Sequence, residues 1–350
     1  MDKAAIIKIL LLGSLAFVVT MIWTPLWTKF LYKYKLGKQI RNSGQTPIFS
    51  QLHAKKSGTP TMGGVLIWLT VLAFAIVFNW LSILWPETFW GHMNFLERTE
   101  TWLPMGVLVA SALVGLFDDW LDVRGKGSLG GGGLTIKHRL AIYTLIASIG
   151  ACWFYFKLGK TLFTIPFWQS FDLGWWYIPV FIVVIVATAF SVNETDGLDG
   201  LAGGVLLNSY MAYGVIALMM GKENLAVFCA VIVGALLAFL WFNITPARFY
   251  MGDTGAMSLG ITLGIIAMLT DTAPFLLIIG SIFVIESLSV IIQLTSKRLR
   301  KGKKVFLSAP IHHHFEAIGW LESKIVMRFW VVAGVSAAVG IALFILDRMS

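Results

Sequence analysis

Apolar runs of about twenty residues recur along the whole chain, each bounded by a short polar connector. About twenty apolar residues in helical form cross ~30 Å of hydrocarbon. Ten such runs are legible: 5–24, 61–85, 102–117, 140–158, 176–192, 201–220, 225–241, 256–270, 274–295 and 326–346. The first, "AAIIKILLLGSLAFVVTMIW", is too long for a cleaved leader, and no small-residue cleavage site follows it, so it reads as a retained span. The pattern predicts an all-α polytopic membrane protein of about ten transmembrane helices, with residues 1–350 forming one integral membrane domain.

Composition agrees with that reading. The chain is 57% hydrophobic and 13% charged, whereas soluble domains carry about a quarter charged residues. Cys152 and Cys229 lie inside apolar runs without metal-ligand spacing and read as small core residues.

The net charge of +9 gains meaning from where it falls. With ten spans the connectors divide into two sets. Loops 25–60, 118–139, 193–200, 242–255 and 296–325 hold nearly all the lysines and arginines, while the opposite set has only Lys3, Arg98, Lys157, Lys160, Lys222 and Arg348. The basic loops are therefore expected in the cytoplasm and both termini on the other side. A membrane origin for the charge removes the case for a nucleic-acid partner. The same loops also collect His53, His138, His312, His313 and His314, with Asp118, Asp119, Asp122, Asp196, Asp199 and Asp253.

Four constellations on that face carry chemistry. In "LVGLFDDWLD" the adjacent Asp118 and Asp119 end a span, where paired carboxylates are costly and call for a cation. Mg²⁺ suits them, because it takes carboxylate oxygens together with phosphate oxygens. Asp122, one turn further on, reads as a solvated loop acid. In "FSVNETDGLDGLAGG" the residues Asn193, Asp196 and Asp199 recur in threes, which a helical turn would gather on one face of a polar, substrate-contacting loop. In "WFNITPARFYMGDTGAMSLG" Asn243 and Asp253 flank the aromatic Tyr250. Asp253 sits where a helix begins, an electrostatically favourable place for an acid and equally a plain cap.

The fourth constellation is "APIHHHFEAIGW". Three consecutive histidines cannot share one helical face, so at most two reach a common site. Consecutive histidines chelate transition metals poorly, and hydrogen bonding to phosphate or proton transfer near neutral pH fits them better. Two further stretches add cations. "HAKKSGTPTMGG" brings Lys55 and Lys56 to a helix entrance suited to an anion, and "GSLGGGGLTIKHR" brings Lys137 and Arg139.

Together, "GTPTMGG", "FDD", "NETDGLDGLAGG", "FYMGDTGA" and "APIHHHFEAIGW" resemble, in order and across essentially the whole chain, the polyprenyl-phosphate sugar-1-phosphate transferase superfamily. The "APIHHHFE" form is similar to its muramoyl-pentapeptide branch. The resemblance implies a bacterial inner-membrane enzyme that transfers phospho-N-acetylmuramoyl-pentapeptide from UDP-MurNAc-pentapeptide to undecaprenyl phosphate. The products would be lipid I and UMP, with Mg²⁺ as cofactor and a homodimer as the assembly. Residue by residue, it implies Asp253 as the principal metal ligand and Asp118 and Asp119 as the acidic pair, Asp118 being a possible second ligand. Asn193, Asp196 and Asp199 would form the nucleotide-side loop, and Asn243 would match a family asparagine. Tyr250 would stack on uracil, where the family usually has Phe. His312 and His313 would contact diphosphate or sugar, with His314 structural, and Lys56 would assist the phosphates. The glycine run 130–133 departs from the family pattern, so the functional cation of that loop is read as Lys137 first and Arg139 second.

Two other readings compete. A sister enzyme would transfer N-acetylglucosamine-1-phosphate to the same lipid. A secondary transporter would carry its acids in mid-span, but here only Glu286 lies deep in an apolar run.

Overall fold

Inside hydrocarbon every backbone N–H and C=O must find a partner within the protein, which leaves helices as the economical way to bury these apolar runs. The computed structural model, which describes residues 3–37, 58–97, 100–125 and 133–349, is accordingly a helical bundle. Its helices are α1 (Lys3–Lys33), α2 (Val65–Leu84), α3 (Trp102–Val123), α4 (Ile136–Cys152), α5 (Tyr177–Thr195), α6 (Leu201–Met219) and α7 (Glu223–Asn243), followed by α8 (Gly252–Leu269), α9 (Ser281–Leu299), α10 (Ile311–Ala317) and α11 (Glu322–Met349). Among the described residues eight helices are long and apolar enough to cross a membrane. The helical segment Ala273–Ile279 and α9 are together apolar enough as well, bent by 85° at the break between them, which brings the number to nine if the pair is one span. Helix α3 covers the apolar run 102–117 and carries three aspartates in its last turns.

The helix α8 is apolar almost all round, and a helix of that kind belongs in the interior. It packs between α3 and α5, with α6, α7 and α11 beyond them and α1 laid along α7. Outer positions such as Ile22, Leu26, Val183 and Val331 stay exposed, as side chains facing lipid do. At the end away from the aspartates, Trp85, Trp90, Trp102, Trp168, Trp175 and Trp176 are exposed and form the aromatic belt expected at a membrane boundary.

The structure corrects several expectations. The chain is not wholly α: after α4, Leu162–Thr164 and Ser170–Asp172 pair as an antiparallel hairpin, β1 and β2, with Phe163 opposite Phe171. Helix α1 runs past residue 24 to Lys33 and α3 past 117 to Val123, so Asp118 and Asp119 are helical and not in a loop. The run 274–295 is not a straight span, because the chain turns sharply at Gly280. The basic loop 296–325 contains α10. Asp122 is buried and not solvated, since its carboxylate accepts the Gly133 N–H at 3.2 Å. Cys229 is in the core, but Cys152 is exposed on the outer surface of the bundle.

Candidate active site

The site is built around the first turn of α8. The first N–H groups of a helix have no partner in the helix itself, and here Asp119 supplies one. Its Oδ1 accepts from the Asp253 N–H at 3.1 Å and from the Thr61 hydroxyl at 3.0 Å, and its Oδ2 accepts from the Thr254 N–H at 3.0 Å. Asp119 therefore joins the end of α3 to the start of α8. Gly252, at φ +75°, makes the approach possible: a Cβ there would lie 2.5 Å from Asp119 Oδ2.

With α8 fixed this way, Asp253 projects toward Asp118, and Arg139 of α4 sits between them. The guanidinium donates from Nε to Asp118 Oδ2 at 2.9 Å, from Nη2 to Asp253 Oδ2 at 2.7 Å and from Nη1 to the Asn193 amide oxygen at 3.0 Å. Asn193 in turn donates from Nδ2 to Asp253 Oδ1 at 2.5 Å. Asp118 also accepts the Leu134 N–H at 2.5 Å. Four helices thus contribute one side chain each to a partly buried cluster of two carboxylates, one guanidinium and one amide. Of the two cations read in this loop, Arg139 is the one that reaches the carboxylates, while Lys137 is exposed. Lys56 lies outside the described residues.

The threefold spacing of Asn193, Asp196 and Asp199 does not gather them on one face. Helix α5 ends at Thr195, and Asp196 leaves helical geometry at φ −78°, ψ 51°. Asn193 faces the carboxylates, whereas Asp199 is buried and accepts the Ala247 N–H at 3.1 Å. Its own N–H donates to Glu322 at 2.8 Å. Asn243 accepts the Gly200 N–H at 3.0 Å and donates to the Phe249 carbonyl at 2.8 Å. Asp199 and Asn243 hold the loop after α5 and the loop after α7 together. Tyr250 is half-buried, and its backbone pairs with Pro60 and Gly63 on the strand-like entry to α2.

The histidines divide as their geometry requires. The rings of His312 and His313 lie with centroids 4.0 Å apart, whereas His314 accepts the Leu307 N–H at 3.2 Å and packs on Phe306. His313 bonds Glu316 at 2.6 Å, and His312, fully buried, bonds Glu286 at 2.9 Å through Nδ1. Burial opposes charging of the His312 imidazole, but the Glu286, Glu316 and Glu194 carboxylates outweigh it and hold its pKa above the ordinary histidine value.

The donor set suits a hard cation. Asp118 and Asp253 present carboxylate oxygens, the ligand type of Mg²⁺, and the Asn193 amide lies beside them with Nδ2 on Asp253 and its oxygen on Arg139. Among the described residues no group of three or more His, Cys, Asp or Glu side chains is arranged to hold a metal alone. A two-carboxylate site completed by substrate phosphates is the usual Mg²⁺ arrangement. The residues that sequence reading missed, Thr61, Glu286 and Glu322, all act by supporting others. Only Glu286, an acid deep in an apolar run, left a visible signal.

Comparison with known proteins agrees with this geometry. Residues 101–271 match the model of glycosyl transferase family 4, and residues 56–67 match the phospho-N-acetylmuramoyl-pentapeptide-transferase signature 1. The chain is 39% identical over 348 residues to the phospho-N-acetylmuramoyl-pentapeptide-transferase of Chloroflexus aggregans, covering 96% of this chain and 89% of that one. It is 42% identical over 336 residues to the protein of that name from Anoxybacillus flavithermus, covering 95% and 97%. Identity to the Listeria monocytogenes protein is 37% over 333 residues, covering 95% and 97%.

Proposed function

Because the chain belongs to the phospho-N-acetylmuramoyl-pentapeptide transferase family, we propose that it transfers phospho-MurNAc-pentapeptide from its UDP carrier to undecaprenyl phosphate, giving lipid I and UMP. The observation that carries the reading is the convergence of Asp118, Arg139, Asn193 and Asp253 at one end of the bundle. Phosphoryl transfer demands placement and charge neutralisation more than covalent work by the protein.

An oxygen of the lipid phosphate attacks the phosphorus attached to the sugar, and the bond from that phosphorus to the UMP oxygen breaks. The acceptor is already anionic at neutral pH, so no strong base is needed. Asp253, with Asp118 and the Asn193 oxygen, would hold Mg²⁺, which when bound offsets the charge that gathers on the diphosphate. Arg139 balances the two carboxylates and orients them. The loop of Asn193, Asp196 and Asp199 would take the nucleotide side and Tyr250 the uracil face. His312 and His313 would take the diphosphate and sugar, with Lys137 and Lys56 attracting phosphate.

In this reading α3, the eight apolar helices and the bent pair together make ten crossings. The basic, carboxylate-bearing end faces the cytoplasm of a bacterial inner membrane, and both termini lie outside. The family likeness further implies a homodimer, which light scattering of the purified particle measures as twice the 38.7 kDa chain mass.

The test is UMP release by purified protein given UDP-MurNAc-pentapeptide and undecaprenyl phosphate, with and without Mg²⁺. Release that requires all three supports the reading. Release from UDP-N-acetylglucosamine in place of the muramoyl donor would move the protein to the sister activity.

A further inference from the structure

The pair formed by His312 and Glu286 is the most deeply buried pair of ionisable side chains near the site, with both side chains fully inaccessible to solvent. It joins α9, a membrane-crossing helix, to α10 in the basic loop. A carboxylate only accepts hydrogen bonds, so His312 Nδ1 is the donor across the 2.9 Å contact. Among the described residues the other ring nitrogen, Nε2, has no hydrogen-bond partner, and neither has Glu286 Oε1. Buried polar atoms are nearly always satisfied, so two orphans on one pair call for an explanation. A third element explains the direction of the ring. A Cβ added at Gly197 would collide with His312 at Nε2, so Nε2 presses directly on the backbone of the loop between Asn193 and Asp199.

We propose that Glu286 is a positioning residue: it anchors His312 through Nδ1 and so aims Nε2 at the Gly197 segment of the nucleotide-side loop. The proposal rests on the transferase reading above and assigns a task to an acid that the reading leaves unused. A neutral imidazole unanchored at Nδ1 could carry its proton on either nitrogen. With Nδ1–H committed to Glu286, Nε2 has one defined character in each charge state, acceptor when the ring is neutral and donor when it is charged. The charged groups facing the ring are Glu286 from α9, Glu194 from α5, and Glu316 and His313 from α10. Three carboxylates favour the charged ring, which makes Nε2–H a donor held without an acceptor among the described residues, suited to an anionic oxygen.

Glu286→Gln keeps an oxygen that can accept from Nδ1 and removes the charge, while Glu286→Ala removes both. The expected result for Glu286→Gln is a kcat lowered about 10- to 100-fold, the range seen when a partner that orients a histidine is lost, with KM changed less than about twofold. The alkaline limb of its pH–rate profile should move to lower pH, because the ring loses a carboxylate that favours its charge. A residue that only filled space would lower the melting temperature and leave that limb in place, and this outcome overturns the proposal. Histidine ring NMR of the unsubstituted protein, with His312→Gln to assign the signal, tests it without reliance on activity. A ring protonated on both nitrogens to a pH above the ordinary histidine range, and on Nδ1 alone beyond that, is expected, and a neutral ring carrying its proton on Nε2 at pH 7 overturns the proposal. If the unsubstituted protein released no UMP, the transferase reading would fail while the NMR result still decided the role of Glu286.

Discussion

At the residue scale, the two adjacent aspartates do different things. Asp119 accepts three hydrogen bonds that fix α8 to α3, whereas Asp118 pairs with Arg139 and accepts the Leu134 N–H. Asp119→Ala leaves two helix N–H groups and a hydroxyl without their acceptor, which costs about 1–3 kcal/mol for each buried group left unpaired. Asp118→Asn should abolish UMP release with little change in the melting temperature, and Asp119→Ala should lower the melting temperature markedly. Equal melting temperatures for the two would contradict the division. Arg139→Gln leaves Asp118 and Asp253, at 4% and 13% side-chain exposure, facing one another without their cation. Stability should fall by about 2 kcal/mol, less than for a fully buried pair. Mg²⁺ should then raise the melting temperature of Arg139→Gln more than that of the unsubstituted protein, because an ion that binds only the folded state stabilises it. His312 adds a pH dependence. Its folded pKa is raised above the 6.5 of a free histidine, so its contribution to stability is complete below that value. The contribution is lost as pH climbs through the folded value. A His312→Gln variant should therefore lose its stability deficit at alkaline pH, read from melts across pH 5–9, an interval set to bracket the ordinary histidine value.

At the element scale, the apolar period disclosed where helices run but not where they stop. Helix α3 continues through three aspartates because their charges are taken up by Thr61, the N-terminus of α8, Gly133 and Arg139, all distant in sequence. A local reading weighs acids at a helix end against the dipole and ends the helix too soon. The bend at Gly280 and the hairpin after α4 were equally hidden, since both depend on tertiary packing. The acids, histidines and glycines of the site were legible, because such residues are conspicuous among apolar runs. Which of two nearby cations reaches the carboxylates was not, because Lys137 and Arg139 differ by about half a turn of α4, and which side of it meets the bundle is set by packing and not by its Thr135 cap. The junction of α3 and α8 gives the test at this scale. Gly252→Ala places a methyl against Asp119 Oδ2 in a backbone conformation of φ +75°. It should lower both stability and turnover, whereas Gly221→Ala, also at positive φ but with open space around it, should lower stability by only about 1 kcal/mol and spare turnover.

At the scale of the whole molecule, the bundle has two unlike ends. One gathers the carboxylate cluster, the histidines and the basic stretch 297–304. The other carries the tryptophan belt and the hairpin, where Lys160 pairs with Asp271 at 2.5 Å and Asp347 takes the Phe167 N–H. Helix α11 links them, with Glu322 bonded to the Asp199 loop at its start and Asp347 on the hairpin loop near its finish. A water-soluble nucleotide donor and a membrane-held acceptor can meet only at the boundary between water and lipid, and in the proposed reading the basic end lies there. The proposed orientation rests on charge, because lysine and arginine are retained in the cytoplasm during insertion. With Cys152 replaced by serine, the remaining native thiol, Cys229, is wholly buried. New cysteines at Lys137 and Trp168, both exposed, then report the two ends separately. A membrane-impermeant maleimide added to intact spheroplasts should label Trp168→Cys and leave Lys137→Cys untouched, and inside-out vesicles should reverse the pattern. Labelling of Lys137→Cys from outside would turn the bundle over in the membrane and place the carboxylates where no cytoplasmic nucleotide sugar could reach them.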